Sequence, residues 1–184
     1  MELIQNIDNA VLEYIRTHMS SGILDQTMPF ITRLGSGALI WIVVALVFLV
    51  SKKYRKDGLI LISSLLLCGL IGNIILKPWI ARIRPFDVNT AIQLLIAKPT
   101  DFSFPSGHTM TSFASATVIF HTNRSMGIAA FVLAALIAFS RLYLYVHYPS
   151  DIIAGILIGV LISVTTIWLF KLKMKEEKGS KASQ

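Results

Sequence analysis

The sequence is poor in charge. Asp, Glu, Lys and Arg make up only 15% of its 184 residues, against about 25% in an average soluble protein, and that scarcity argues against an ordinary water-soluble globule. Cysteine is nearly absent as well. Cys68 stands alone, so neither an intrachain disulfide nor a cysteine-rich metal site can form. No stretch of mixed composition is long enough for a second globular domain. A basic start followed by an apolar core and a small-residue cleavage site is also lacking, so a cleaved signal peptide is not expected.

What is there is apolar: 54% of the residues are hydrophobic and the mean hydropathy is +0.68. The charges fall in clusters between uncharged stretches close to bilayer length. Residues 34–51 and 58–76 carry no charge and are separated by the basic run Lys52, Lys53, Tyr54, Arg55, Lys56, Asp57. Residues 107–120 make a third span, entered at Pro105-Ser106. Residues 126–144 make a fourth, with Arg141 near its end, and 152–170 a fifth. The pattern predicts an all-α fold, a polytopic transmembrane helical bundle of five spans. In residues 1–33, charges interrupt every candidate span, but Leu3, Ile7, Val11, Leu12 and Ile15 recur at helical spacing. This suits an amphipathic helix lying at the membrane interface, with a short soluble cap as the alternative. A sixth span is possible if part of this segment crosses. The division expected is therefore an interfacial segment over 1–33, a transmembrane domain over 34–170 and a basic tail over 171–184.

Charge placement gives a sidedness. The 52–57 turn, the 121–125 turn and the tail together hold ten basic and three acidic residues, whereas the remainder holds seven of each. The positive-inside rule puts the basic face, and with it the C-terminus, in the cytoplasm. The net charge of +7 is thereby a topology signal, and no nucleic-acid partner is needed to explain it.

The unusual polar residues collect at span ends on the opposite, outer side. They are Lys77 and Arg84, then Ser106, Gly107 and His108, then Arg141, and finally His147 and Asp151. Three cations at the bilayer boundary repel one another unless an anion sits among them. Phosphate fits: arginine presents paired planar donors and lysine a point charge. The Pro105-Ser106-Gly107 turn adds backbone N–H groups at a helix start, and such a cradle would stabilise a phosphoryl group in transfer. Of the two histidines, one can attack phosphorus while the other protonates the leaving oxygen, a division of labour that needs no metal. Asp151, four residues after His147, could hold one ring nitrogen protonated. Taken singly, each residue has a structural reading: basic residues snorkel to headgroups, histidines pack between helices, Asp151 favours a helix N-terminus and Ser106 is an N-cap. Their conjunction carries the functional reading. Arg82 and Lys98 have no assigned partner and are expected to snorkel. His18 and His121 are expected to be structural.

The spacing of these residues resembles the three-part motif of the type 2 phosphatidic acid phosphatase superfamily. The matching residues are Lys77 with Arg84-Pro85, then Pro105-Ser106-Gly107-His108, then Ser140-Arg141 with His147 and Asp151. The resemblance implies a helical bundle with the motifs at one end, most membrane members having six spans. It implies that His147 is the nucleophile and forms a phosphohistidine, that Asp151 orients it, and that His108 is the general acid. Lys77, Arg84, Ser106, Gly107 and Arg141 would bind phosphate, with no metal or other cofactor. The substrate implied is a membrane lipid phosphate: undecaprenyl diphosphate is favoured, with phosphatidylglycerophosphate and phosphatidic acid as further candidates. The competing readings are transfer of the phosphate to an acceptor from the same site, and a lipid-phosphate binder or transporter without chemistry. Nothing in the sequence calls for an obligate protein partner.

Overall fold

The computed structural model describes residues 2–182, with side chains through Glu176. Part of the expected tail over 171–184, including the side chains of Lys178 and Lys181, lies outside the described residues. Among the described residues the secondary structure is helical, without strands.

The first helix, α1 (Glu2–His18), is amphipathic in an unexpected sense. Leu12 and Ile15 face the bundle together with Asp8, while Leu3, Ile4, Ile7, Val11 and Tyr14 form an exposed outer stripe. The next helix, α2 (Gly22–Gly35), starts on Ser21, whose hydroxyl accepts the Leu24 N–H, and passes through a single 3-10 turn, Ser36–Ala38, into α3 (Leu39–Val50). Gly37 has φ +58° in that turn, which glycine accepts freely, and Ala38 has φ +58° as well. The latter costs about 1–2 kcal/mol for an L residue.

The membrane-length rod thus begins at Gly22, where the sequence reading places a span start at residue 34. The charges that hid its first half are Asp25 and Arg33. The Asp25 carboxylate accepts a hydrogen bond from the Tyr143 hydroxyl at 2.5 Å, and Arg33 lines a cavity.

After a turn over 51–54 come α4 (Arg55–Cys68), a π-helical stretch over Gly69–Leu76, and the short helices α5 (Lys77–Ile80) and α6 (Pro85–Val88). An irregular loop then leads to α7 (Gly107–Thr122), which begins where Ser106 caps it. Asn123 caps α8 (Arg124–Tyr143), and α9 (Pro149–Ala182) follows. The runs Gly22–Val50, Arg55–Val88, Arg124–Tyr143 and Pro149–Glu176 are long and apolar enough to cross a membrane. At 16 residues α7 is shorter, yet it is the central helix, packed on α4, α8 and α9.

Small side chains make this centrality possible. Buried Ser112, Ala114, Ser115 and Ala116 let neighbouring backbones close in on α7. The approach of α9 is tighter still: a Cβ added at Gly155 would lie 2.9 Å from the Ser106 carbonyl oxygen, and one added at Gly159 would lie 2.3 Å from that of Met110. On the other side, Trp41 of α3 donates its indole N–H to Ser112 Oγ at 2.9 Å. Outward-facing Val50, Leu66, Ile74, Leu157, Leu161 and Trp168 are exposed along the bundle. Such a continuous apolar exterior is stable only against lipid. The molecule is a multi-pass membrane helix bundle.

Candidate active site

The start of α9 fixes one half of the site. Pro149 is its first helical residue, a position that needs no N–H, and Asp151 reaches back so that its Oδ2 accepts the Tyr148 N–H at 2.9 Å. This is the reciprocal half of a capping box, so the structural role expected of Asp151 is realised. It does not exhaust the carboxylate. Asp151 is fully buried; Oδ2 also accepts Ser103 Oγ–H at 2.5 Å and lies 3.4 Å from His147 Nδ1. The Asp151 carbonyl oxygen accepts the Ser106 N–H at 3.2 Å, tying α9 to the start of α7.

His147 sits in the loop between α8 and α9 and is 1% exposed. Its Nε2 lies 3.2 Å from Arg84 Nη1. A guanidinium only donates, so Nε2 presents its lone pair and the ring proton falls on Nδ1, which faces Asp151 Oδ2 across 3.4 Å without a closed hydrogen bond. Burial holds this imidazole below its ordinary pKa range; Asp151 opposes the shift, and the charges of Arg141 and Arg84 reinforce it. The ring is neutral, with an unprotonated nitrogen toward the cavity.

Three buried cations, Lys77, Arg84 and Arg141, line the same cavity as His147. Arg84 donates from Nε to the Asp101 carbonyl at 2.7 Å, from Nη1 to the Val146 carbonyl at 2.5 Å and from Nη2 to Asp101 Oδ1 at 2.6 Å. Lys77, at the start of α5, pairs with the other Asp101 oxygen. Arg141 donates from Nη1 to Thr32 Oγ1 at 2.7 Å, while its buried Nε has no protein partner. Asp101 therefore bridges two of the three cations. Burial would raise its carboxyl pKa, but the hydrogen bonds and charges of Lys77 and Arg84 outweigh that and hold it at about 2. It is ionised at any physiological pH.

His108, second residue of α7, lies across the cavity with Nε2 3.3 Å from Ser36 Oγ in the α2–α3 turn. Close approach is possible because residue 35 is glycine: a Cβ there would stand 3.0 Å from the His108 ring. Lys77, Arg84, Gly107, His108, Arg141 and His147 all line one cavity of about 340 Å³. Ser106 does not. Its hydroxyl is buried against Thr109, from which it accepts the N–H, and its own N–H is taken by Asp151. Ser106 shapes the α7 start, leaving the cavity to Gly107 and His108.

Two expectations need correction. Arg82 does not snorkel: its guanidinium bonds Asp8 and Asp151, each at 2.6 Å, because the chain folds back between α5 and α6 and carries it beneath α1. Lys98 also has a partner, Asp87, at 2.5 Å on the surface. His18 stacks on Tyr14 and lines neither the 340 Å³ cavity nor its apolar neighbour. Asp8, Thr32, Ser36, Asp101 and Ser103 were not legible as site residues. Asp101 had one signal, a lone carboxylate close before the Pro105-Ser106-Gly107-His108 turn; the others are common residues whose partners lie far along the chain.

A buried histidine–aspartate pair facing a cluster of cations, inside a membrane helix bundle, defines a membrane protein built to handle a phosphoryl group. The chain belongs to the PAP2 superfamily, whose family model matches residues 57–175. It is a membrane phosphatase of that family. Among its relatives, an undecaprenyl-diphosphatase of Sulfolobus acidocaldarius is 35% identical over 145 residues, covering 78% of this chain and 69% of the relative. The phosphatidylglycerophosphatase B of Bacillus subtilis is 32% identical over 154 residues, covering 76% and 71%. The crystal structure of a transmembrane PAP2-type phosphatidylglycerolphosphate phosphatase from Bacillus subtilis superposes with a TM-score of 0.76 at 28% identity, over 93% of this chain and 88% of that one.

Proposed function

We propose that this protein hydrolyses the terminal phosphate of a membrane lipid through a phosphohistidine on His147, with undecaprenyl diphosphate as the favoured substrate. The observation that carries the lipid assignment is the junction of two cavities. The cationic cavity shares Lys77, Asp101, Gly107 and His108 with an apolar one of about 500 Å³, lined by Ile42, Ile62, Leu65 and Leu66 of α3 and α4. A phosphate head and a hydrocarbon tail are thus accommodated side by side. The similarity to the undecaprenyl-diphosphatase of Sulfolobus acidocaldarius supports the choice of substrate, and phosphatidylglycerophosphate and phosphatidic acid remain the further candidates.

In the first step His147 Nε2 forms a bond to phosphorus as the bond to the lipid-side oxygen breaks, and His108 gives that oxygen its proton. Arg84, Arg141 and Lys77 neutralise the equatorial oxygens, while Asp151 stabilises the Nδ1 proton as the ring gains positive charge. In the second step water, deprotonated by His108, attacks phosphorus and the N–P bond breaks. Inorganic phosphate leaves and both histidines return to their starting states.

The N-terminal helix packs at the site end of the bundle, whereas the basic 52–57 turn and the tail lie at the other end. With Gly22–Val50, Arg55–Val88, α7, α8 and α9 each crossing once, the positive-inside rule puts the site on the extracytoplasmic face and the C-terminus in the cytoplasm.

The test is inorganic phosphate release by detergent-purified protein, with chelator present, from undecaprenyl diphosphate, phosphatidylglycerophosphate and phosphatidic acid. Release resistant to chelator and abolished in His147→Ala is expected, with undecaprenyl diphosphate fastest. Retained turnover in His147→Ala would remove that residue as nucleophile. No release from any lipid by folded wild-type protein would favour a binder or transporter, and phosphate found on an added acceptor would favour transfer.

A further inference from the structure

We infer that Arg82 and Asp8 are positioning residues for the reaction, and that through them the N-terminal helix α1 is part of the active site. The inference rests on the His147–Asp151 reading above.

The Asp151 carboxylate is held by donors at both of its oxygens. Its Oδ2 is the oxygen near His147 Nδ1, and it already accepts bonds from Ser103 and from the Tyr148 N–H. A carboxylate rotates easily about its last side-chain bond, a torsion with broad wells. Holding the plane requires a grip on the second oxygen. Oδ1 is held by one group, Arg82 Nη1, at 2.6 Å. Removing that guanidinium would free the carboxylate to turn and would leave a fully buried oxygen without a donor.

Arg82 is itself held by groups from α1 and the start of α9. The same Nη1 donates to Ser150 Oγ at 2.7 Å, Nη2 donates to Asp8 Oδ2 at 2.6 Å and to Gln5 Oε1 at 2.9 Å, and the guanidinium carbon lies 3.9 Å from the centre of the Tyr148 ring. Asp8 is 2% exposed, buried almost as deeply as Asp151. It holds Arg82, and it also accepts the Ser150 N–H at 2.8 Å and the Ser150 hydroxyl at 2.5 Å. The Ser150 N–H is one of the groups left unpaired at the start of α9, so α1 supplies a cap to the helix that carries Asp151. One arginine between two buried carboxylates also gives each an opposite charge to pair with. None of these groups lines the cationic cavity, so their influence on the reaction passes through the orientation of Asp151 and His147.

The test is a double-mutant cycle on full-length detergent-purified protein, with phosphate release read from undecaprenyl diphosphate, phosphatidic acid and p-nitrophenyl phosphate. Arg82→Gln should lower kcat by about 10- to 100-fold, the penalty for a small misplacement in a catalytic group, with KM changed less than about threefold. Added to Asp151→Asn, it should cost less than about threefold more, because residues acting as one unit are not additive. Arg82→Lys should recover part of the loss, and Asp8→Asn should lower kcat in the same direction as Arg82→Gln. A kcat for Arg82→Gln within about twofold of wild type, a loss confined to KM, or losses that multiply in the double mutant would each overturn the inference. If Arg82→Gln aggregates on size exclusion, the near-isosteric Asp8→Asn decides, and wild-type kcat in that variant overturns it. His147→Ala run alongside separates the two readings. If it is inactive while Arg82→Gln is normal, only the positioning role fails. If it is active, or if wild type releases phosphate from none of the three compounds, the phosphohistidine reading fails and takes this inference with it.

Discussion

Arg84 shows why the site depends on residue type as well as charge. Its three nitrogens reach three backbone carbonyls, those of Asp101, Val146 and Phe102, and the Asp101 carboxylate, while Nη1 also faces His147 Nε2. A lysine at this position would keep the positive charge, yet a single ammonium cannot span that fork. Arg84→Lys should therefore lower kcat/KM by about 1–3 kcal/mol of transition-state stabilisation; wild-type kinetics would place Arg84 outside the machinery. Asp101 belongs to the same scale. With its carboxyl held at about 2, its pairs contribute stability that is complete above the ordinary aspartate pKa and is lost only as pH falls toward 2. Because Asp101 occupies Lys77 and Arg84, an incoming phosphate must share or displace a carboxylate, while Arg141 Nε stands ready without a partner.

At the scale of elements, the seam between α7 and α9 decides whether the parts meet. Ser106 at the start of α7 and Asp151 at the start of α9 are bonded through backbone, and this register exists only because Gly155 and Gly159 let the two helices touch. A methyl group at residue 159 would meet the Met110 carbonyl, a backbone group that cannot swing aside. Gly159→Ala is expected to destabilise the protein by about 1–3 kcal/mol, read as a lowered thermal midpoint in detergent. The control is Gly69→Ala, where nothing lies within 4 Å. Relief of the helix penalty of glycine should leave that variant unchanged or more stable, by up to about 1 kcal/mol. Equal midpoints for the two variants would mean that the seam tolerates separation.

For the whole molecule, the ordering of charge matters more than its amount. The excess of basic over acidic residues belongs to the turns and tail away from the site, whereas the remainder holds equal numbers of each, and the two ends are related by the five proposed crossings. Labelling of tags at both termini in intact cells should mark the N-terminus from outside and the C-terminus only after permeabilisation. Both termini inside would require a further crossing within residues 1–21 and would reverse the place of α1.

Much of this was legible along the chain. The charge-free runs gave the helical membrane class, since burying a backbone in lipid leaves little choice but helix. The motif residues Lys77, Arg84, Gly107, His108, Arg141 and His147 do converge on one cavity, with Asp151 directly behind His147. The start of the first rod was hidden, because a count of charges cannot tell that Asp25 bonds Tyr143 or that Arg33 looks into a cavity. Arg82 was misjudged for the same reason: its partner Asp8 lies 74 positions away, on a helix whose hydrophobic pattern says nothing about one buried carboxylate. The sequence by itself determined the solvent this protein lives in and the chemistry it carries, because both follow from residue types and short-range spacing. Only the tertiary structure decided which nitrogen of His147 is free, which carboxylate neutralises the cradle and what holds Asp151 in plane, because each depends on contacts between groups that the chain keeps far apart.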